Sequence, residues 1–180
     1  MTHTWKILAS SSAVFVAFTL SLSPMASDDA PSAPSGDTET ATFAMYCYWT
    51  GEATVGRVDG VVASRIGHWG GEEIVQVDFD PAQTSVEELA RALRKQRSLY
   101  HVVQSRSAAK PISGVDGDAV KLKDGTPHFI EPKHSLRTRY PKLHALDLTE
   151  AQAIALNSWS YFGGAMPDVL TAEQKQRVGL

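Results

Sequence analysis

Across residues 41–107 the apolar side chains switch between the two-residue spacing of a strand and the wider spacing of a helix. The order of those switches restricts the fold more than any other feature. Residues 41–47 (ATFAMYC) set Phe43, Met45 and Cys47 against Thr42, Ala44 and Tyr46, a strand pattern. The WTGEATVGRV that follows has small residues at Ala53 and Gly56, which would let a helix lie close on a sheet, and Asp59-Gly60 turns the chain. Residues 61–69 (VVASRIGHW) read as a second strand, Gly70-Gly71 as a hairpin turn, and residues 73–80 (EIVQVDFD) as a third strand ended by Pro81. Residues 84–96 form the clearest helix. Ser85 and Glu88 have capping-box spacing, and Val86, Leu89, Ala90 and Leu93 line one face. Residues 99–107 supply a fourth strand. This order predicts an α+β fold of the ferredoxin-like βαββαβ type over 41–108, an antiparallel sheet with two helices on one face.

The flanks are of different character. Lys6 precedes ILASSSAVFVAFTLSLS and then PMASDD, so residues 1–27 are expected to be a secretory signal peptide. The apolar run is shorter than the ~20 residues of a membrane span. The expectation is a secreted or periplasmic protein, or one held by its N-terminus if that segment is not cleaved. Residues 28–40, rich in Ser, Pro, Asp and Thr, read as a flexible linker. Residues 109–180 read as a loop-and-helix extension packed on the plait. Its first part is rich in Gly, Pro and charge, and Thr149/Gln152 and Thr171/Gln174 mark two helix starts. A basic run (Lys133, His134, Arg137, Arg139, Lys142, His144) is expected to be a solvated loop.

With 43% hydrophobic and 21% charged residues the chain has globular composition, and a formal charge of -3 gives no drive toward nucleic acid. The single cysteine, Cys47, rules out an internal disulfide. It falls where the first strand meets the first helix, and a helix N-terminus favours a thiolate. An inert buried thiol is the bland alternative; Tyr48, Trp49 and Tyr46 equally have ordinary core roles open to them, and Tyr46 is expected in the core.

Three segments resemble the peptide methionine sulfoxide reductases of the A type. ATFAMYCYWTGEA is similar to the active-site segment Gly-Cys-Phe-Trp-x-x-Glu, with Cys47, Trp49 and Glu52 matching and Tyr48 replacing Phe. DGVVASRIGHWGG resembles the family's Gly-Val…Gly-Tyr-x-Gly-Gly stretch, and EEIVQVDFDP its Glu…Tyr/Phe-Asp-Pro strand. The likeness covers residues 41 to about 96. A longer family insert between Gly-Gly and that glutamate is absent, and with it a tyrosine-bearing element; an Asp…Gly-x-x-Tyr-Arg-Ser element is reduced to VVQSRSAA.

The resemblance implies a peptide-methionine (S)-S-oxide reductase, a protein-repair enzyme of oxidative stress. Cys47 would attack the sulfoxide sulfur and Glu73 would donate the proton, leaving a cysteine sulfenic acid. Tyr48, Trp49, Glu52 and His68 are the expected substrate-binding set, Glu52 as a first-helix charge that orients its neighbours. No bound cofactor or metal is implied. With no resolving cysteine in the chain, an external thiol (a thioredoxin-like protein or dithiothreitol) must regenerate Cys47. One alternative is a heavy-metal-associated copper-binding module, whose Met-x-Cys-x-x-Cys signature here reads Met45-Tyr46-Cys47-Tyr48-Trp49-Thr50. The other is a thiol redox protein that has lost sulfoxide reductase activity.

Overall fold

The computed structural model describes residues 36–180; the expected signal peptide and most of the expected linker lie outside the described residues. Six strands there form one sheet: β1 (Glu39–Met45), β2 (Val61–Trp69), β3 (Glu72–Phe79), β4 (Leu99–Ser105), β5 (Val120–Lys123) and β6 (His128–Ile130). Six α-helices accompany it: α1 (Tyr48–Val55), α2 (Val86–Lys95), α3 (His134–Arg139), α4 (Pro141–His144), α5 (Glu150–Phe162) and α6 (Ala172–Val178). None of these is long and apolar enough to cross a membrane.

The spatial order is β5-β4-β1-β3-β2-β6. Every neighbouring pair is antiparallel except β4–β5, so the sheet is mixed rather than purely antiparallel. The two outer strands correct the expectation that residues 108–142 are mostly loop. β5 caps one edge of the sheet and β6 the other, so segments beyond residue 108 cover backbone donors and acceptors that would otherwise stay open. The connection between them is held by the Trp69 indole, whose Nε1–H donates to the Asp124 carbonyl at 2.9 Å. β6 comes very close at Gly67: a Cβ there would fall 2.1 Å from the His128 carbonyl oxygen, so only glycine admits this pairing.

The strand alternation divides the core in two. Phe43, Met45, Val75, Val77, Ile66 and Val102 face α1 and α2, where Val55, Leu89, Ala90 and Leu93 complete the main cluster. On the other face Ala44, Trp69, Ile74 and Val103 pack with Phe129. α2 starts as its sequence dictates: the Ser85 hydroxyl accepts from the Glu88 amide. The Glu88 carboxylate does not close a capping box; it accepts from the Thr84 hydroxyl. Gly70 and Gly71, both at positive φ, make the two-residue turn between β2 and β3.

Small residues set helix α1 at its depth, though not all as expected. Gly51, not Gly56, presses on the sheet: a Cβ on it would lie 2.6 Å from Met45 Cε and 2.9 Å from Val75 Cγ2. Gly56 faces α5, where a Cβ would meet Ile154 at 3.0 Å. The extension has a small core of its own: Leu136, Leu143, Leu146, Leu156 and Leu170. Two of the three expected capping boxes are present, at Thr149/Gln152 on α5 and Thr171/Gln174 on α6.

Candidate active site

β1 ends at Met45, and Cys47 is the N-cap of α1 in extended conformation. Its side chain makes no capping bond, so the sulfur is not committed to the helix, and the residue is half-buried. The Cys47 backbone is fixed: its carbonyl accepts from the Gly51 amide at 3.1 Å and from the Ser98 hydroxyl at 3.1 Å.

Glu73 belongs to β3 and pairs with Met45 on one side and His68 on the other. Alternation turns it to the helix-bearing face. There its Oε2 accepts from the backbone N–H of Tyr48 at 2.8 Å, the first helical residue after Cys47. The first turn of α1 has no acidic residue of its own, so Glu73, reached from a different strand, is the carboxylate that sits at the positive end of this helix. The carboxyl is thereby bonded to the peptide amide that directly follows Cys47.

Aromatic rings stand at the neighbouring positions: Tyr48 and Trp49 open α1 after Cys47, and His68 pairs with Glu73 between β2 and β3. Tyr48 meets His68 edge-on at 5.4 Å and Trp49 edge-on at 5.8 Å. Burial first, then the negative charge of Glu73 and of Cys47, pushes the Tyr48 phenol above its ordinary range, so the phenol lies in the field of both groups. Trp49 is 40% exposed, and the His134 imidazole stacks flat on it, centroids 3.8 Å apart and planes 4° from parallel. Of the expected site residues, the structure therefore brings together Cys47, Glu73, Tyr48, Trp49 and His68.

Glu52 stands apart. It is 2% exposed, and both carboxylate oxygens accept from the Lys133 backbone N–H (2.8 and 2.9 Å), with Asn157 Nδ2 at 3.3 Å and the Lys133 ammonium at 3.6 Å. Burial pushes its carboxyl above the usual range against the pull of Lys133. With its oxygens so occupied and turned into the protein, Glu52 binds the extension to α1 and does not meet a substrate. Lys133, expected in a solvated loop, is buried. Its ammonium donates to Ser64 O at 2.9 Å and Glu150 Oε1 at 2.7 Å, and its own backbone is left-handed, φ 59°. The basic run is thus two short helices with a buried cation at their head.

Two other expectations are corrected. Tyr46 is 60% exposed, not core, because β1 has already ended and its pairing with β4 shifts register at Ala44/Met45; the ring lies against Tyr100 at 3.6 Å. The copper-module reading loses the Met45 thioether as a helper of its single thiolate, while His68 stays at the rim. Met45 is buried in the main core, and Thr50, in the place of the second sulfur, bonds the Tyr161 hydroxyl at 2.7 Å. His134 lies in the basic run that the sequence reads as solvated loop, and no motif there marks it out.

A free thiol at a helix N-cap, a carboxylate on the next amide and a rim of aromatic rings define a thiol–carboxylate site on an α+β scaffold. Comparison with known proteins points to one group. The chain is similar to the peptide methionine sulfoxide reductase MsrA of Geobacter metallireducens, 39% identical over 70 residues that cover 29% of this chain and 43% of the relative. It is also similar to MsrA of Thermoactinomyces vulgaris, 36% identical over 66 residues (27% of this chain, 54% of the relative), and to a peptide methionine sulfoxide reductase of Drosophila melanogaster at 33%. The chain spans about half, or less, of the length of the curated relatives it matches. Since 29% of 180 residues is about 52, against 70 aligned positions, the relative carries residues in this stretch that the chain lacks. No protein-family model matches. These similarities support a distant relationship to the MsrA proteins.

Proposed function

We propose that the protein is a thiol-dependent peptide-methionine (S)-S-oxide reductase. The observation that carries the reading is the Glu73 carboxylate bonded to the amide that follows Cys47. The Glu73 carboxyl is held at the same helix end as the Cys47 thiol, where a proton can pass between them. Cys47 gives that proton to Glu73 and attacks the sulfoxide sulfur as thiolate; Glu73 returns it to the departing sulfoxide oxygen. The protonated oxygen passes to the Cys47 sulfur as the bond between the two sulfurs breaks, leaving Cys47 as the sulfenic acid and the substrate as the thioether. Two equivalents of an external thiol, from a thioredoxin-like protein or dithiothreitol, then reduce Cys47 and leave as disulfide and water. Tyr48 and Trp49 offer apolar surface for the substrate methyl group, and His68 closes the rim.

The distant kinship to MsrA proteins supports the same activity. The inner strand order β4-β1-β3-β2, with α1 and α2 on one face, supports reading that part as a split βαβ plait. The composition of residues 1–27 supports export to the periplasm or beyond. The test is turnover of a methionine sulfoxide peptide with dithiothreitol. Methionine formation that Cys47→Ser abolishes is expected; equal turnover by the variant removes the reading.

A further inference from the structure

We infer that His134, contributed by the extension beyond residue 108, is a substrate-positioning residue of the Cys47 site, acting by fixing the Trp49 indole as an apolar platform beside the sulfur. This rests on the sulfoxide reductase reading above and adds to it a residue from outside the segments that carry the resemblance.

The geometry is built from two directions. Trp49 is the second residue of α1, two positions after Cys47, and Tyr48 holds its edge. A half-exposed indole at the start of a helix has several rotamers open to it unless something lies against its face. His134 lies against that face with nearly parallel planes, and the indole keeps 40% of its surface open. The imidazole is itself constrained. It is the first residue of α3, immediately after Lys133, whose N–H is bonded to both oxygens of buried Glu52. Glu52 is on α1, three residues after Trp49. The extension is therefore tied to α1 at the turn of chain that delivers the ring. Burial, then the Arg137 cation, lowers the His134 pKa, which keeps the ring neutral near neutral pH and suits flat stacking on an indole.

The test uses the full chain with two substitutions, His134→Ala and His134→Phe. The first removes the stacked ring; the second keeps a flat ring without imidazole chemistry. With a methionine sulfoxide peptide and dithiothreitol, His134→Ala is expected to raise KM about three- to tenfold, the worth of one aromatic pair, with kcat changed by less than about twofold, and His134→Phe to restore KM. A second readout needs no turnover: the rate of Cys47 modification by N-phenylmaleimide divided by that with N-ethylmaleimide. This ratio should fall about threefold in His134→Ala and hold in His134→Phe, because the platform favours the reagent with the larger apolar group. Unchanged KM and ratio in His134→Ala overturn the inference, as does a His134→Phe protein as impaired as His134→Ala. A wild-type protein without turnover defeats the reductase reading alone, and the maleimide ratio then decides on His134.

Discussion

Replacing Lys133 by Met tests how the extension is held to the site helix. The substitution removes the cation 3.6 Å from a carboxylate that is 2% exposed, while the Lys133 backbone N–H and Asn157 continue to bond Glu52. Removing one partner of a buried pair costs about 3–5 kcal/mol, and the retained bonds place this case near the low end, roughly 3 kcal/mol. For a chain of this size each kcal/mol lowers Tm by about 2–4 °C, so calorimetry at pH 7.5 should show a fall of roughly 6–12 °C. The loss should depend on pH in a defined sense. Burial raises the Glu52 pKa in the folded state, so the folded protein holds this proton more tightly than the unfolded chain. Its contribution is full below the unfolded value of about 4.3 and is lost as pH rises through the folded one. Without Lys133 the folded value moves higher still, so the gap between variant and wild type should narrow as pH is lowered toward that range. Glu52→Gln added to Lys133→Met should recover most of the loss, because no uncompensated buried charge remains; Glu150, the other carboxylate that Lys133 meets, is exposed to water. A Tm fall under about 2 °C, or a double variant no better than the single, would refute the reasoning.

Glu73→Gln keeps an oxygen to accept from the Tyr48 amide but has no proton to exchange; it should lower kcat/KM about 10²–10⁴-fold with Tm almost unchanged, as turnover and calorimetry together would show. Gly51→Ala places a methyl group 2.9 Å from Val75 Cγ2, a stiff branched side chain, and should cost about 1–3 kcal/mol in urea unfolding. Gly67→Ala meets a backbone oxygen at 2.1 Å, so β6 should detach and the amides of residues 128–130 should exchange markedly faster with solvent, with the main core unaffected.

What could be read from the sequence follows from how each element is stabilised. The strands between residues 39 and 105 alternate their side chains between two packed faces and α2 buries one, and those periods show it; β2 runs over the same residues, 61–69, that its β-branched pattern marks. The two capping boxes were legible because the signal is local chemistry. β5 and β6 are four and three residues long, too short for any period, and owe their form to the open edges of β4 and β2. Tyr46 misled because alternation predicts a face only while the strand lasts. Cys47 is marked by its place where the first strand meets the first helix and Glu73 by motif resemblance, and β1–β3 pairing brings the Glu73 carboxylate to the amide after Cys47. Lys133 and His134 were missed because six basic residues over a short span suggest solvent. That one of them is buried follows from the demand of Glu52 for a counter-ion, a demand visible only once Glu52 is known to face inward.

The most direct test of the central claim is a single turnover without reductant. Mixed with excess methionine sulfoxide peptide, the protein should form one equivalent of methionine per chain, and dimedone should then label Cys47 as the sulfenic acid in the intact mass. Less than stoichiometric background methionine together with an unlabelled, fully reduced Cys47 would contradict it.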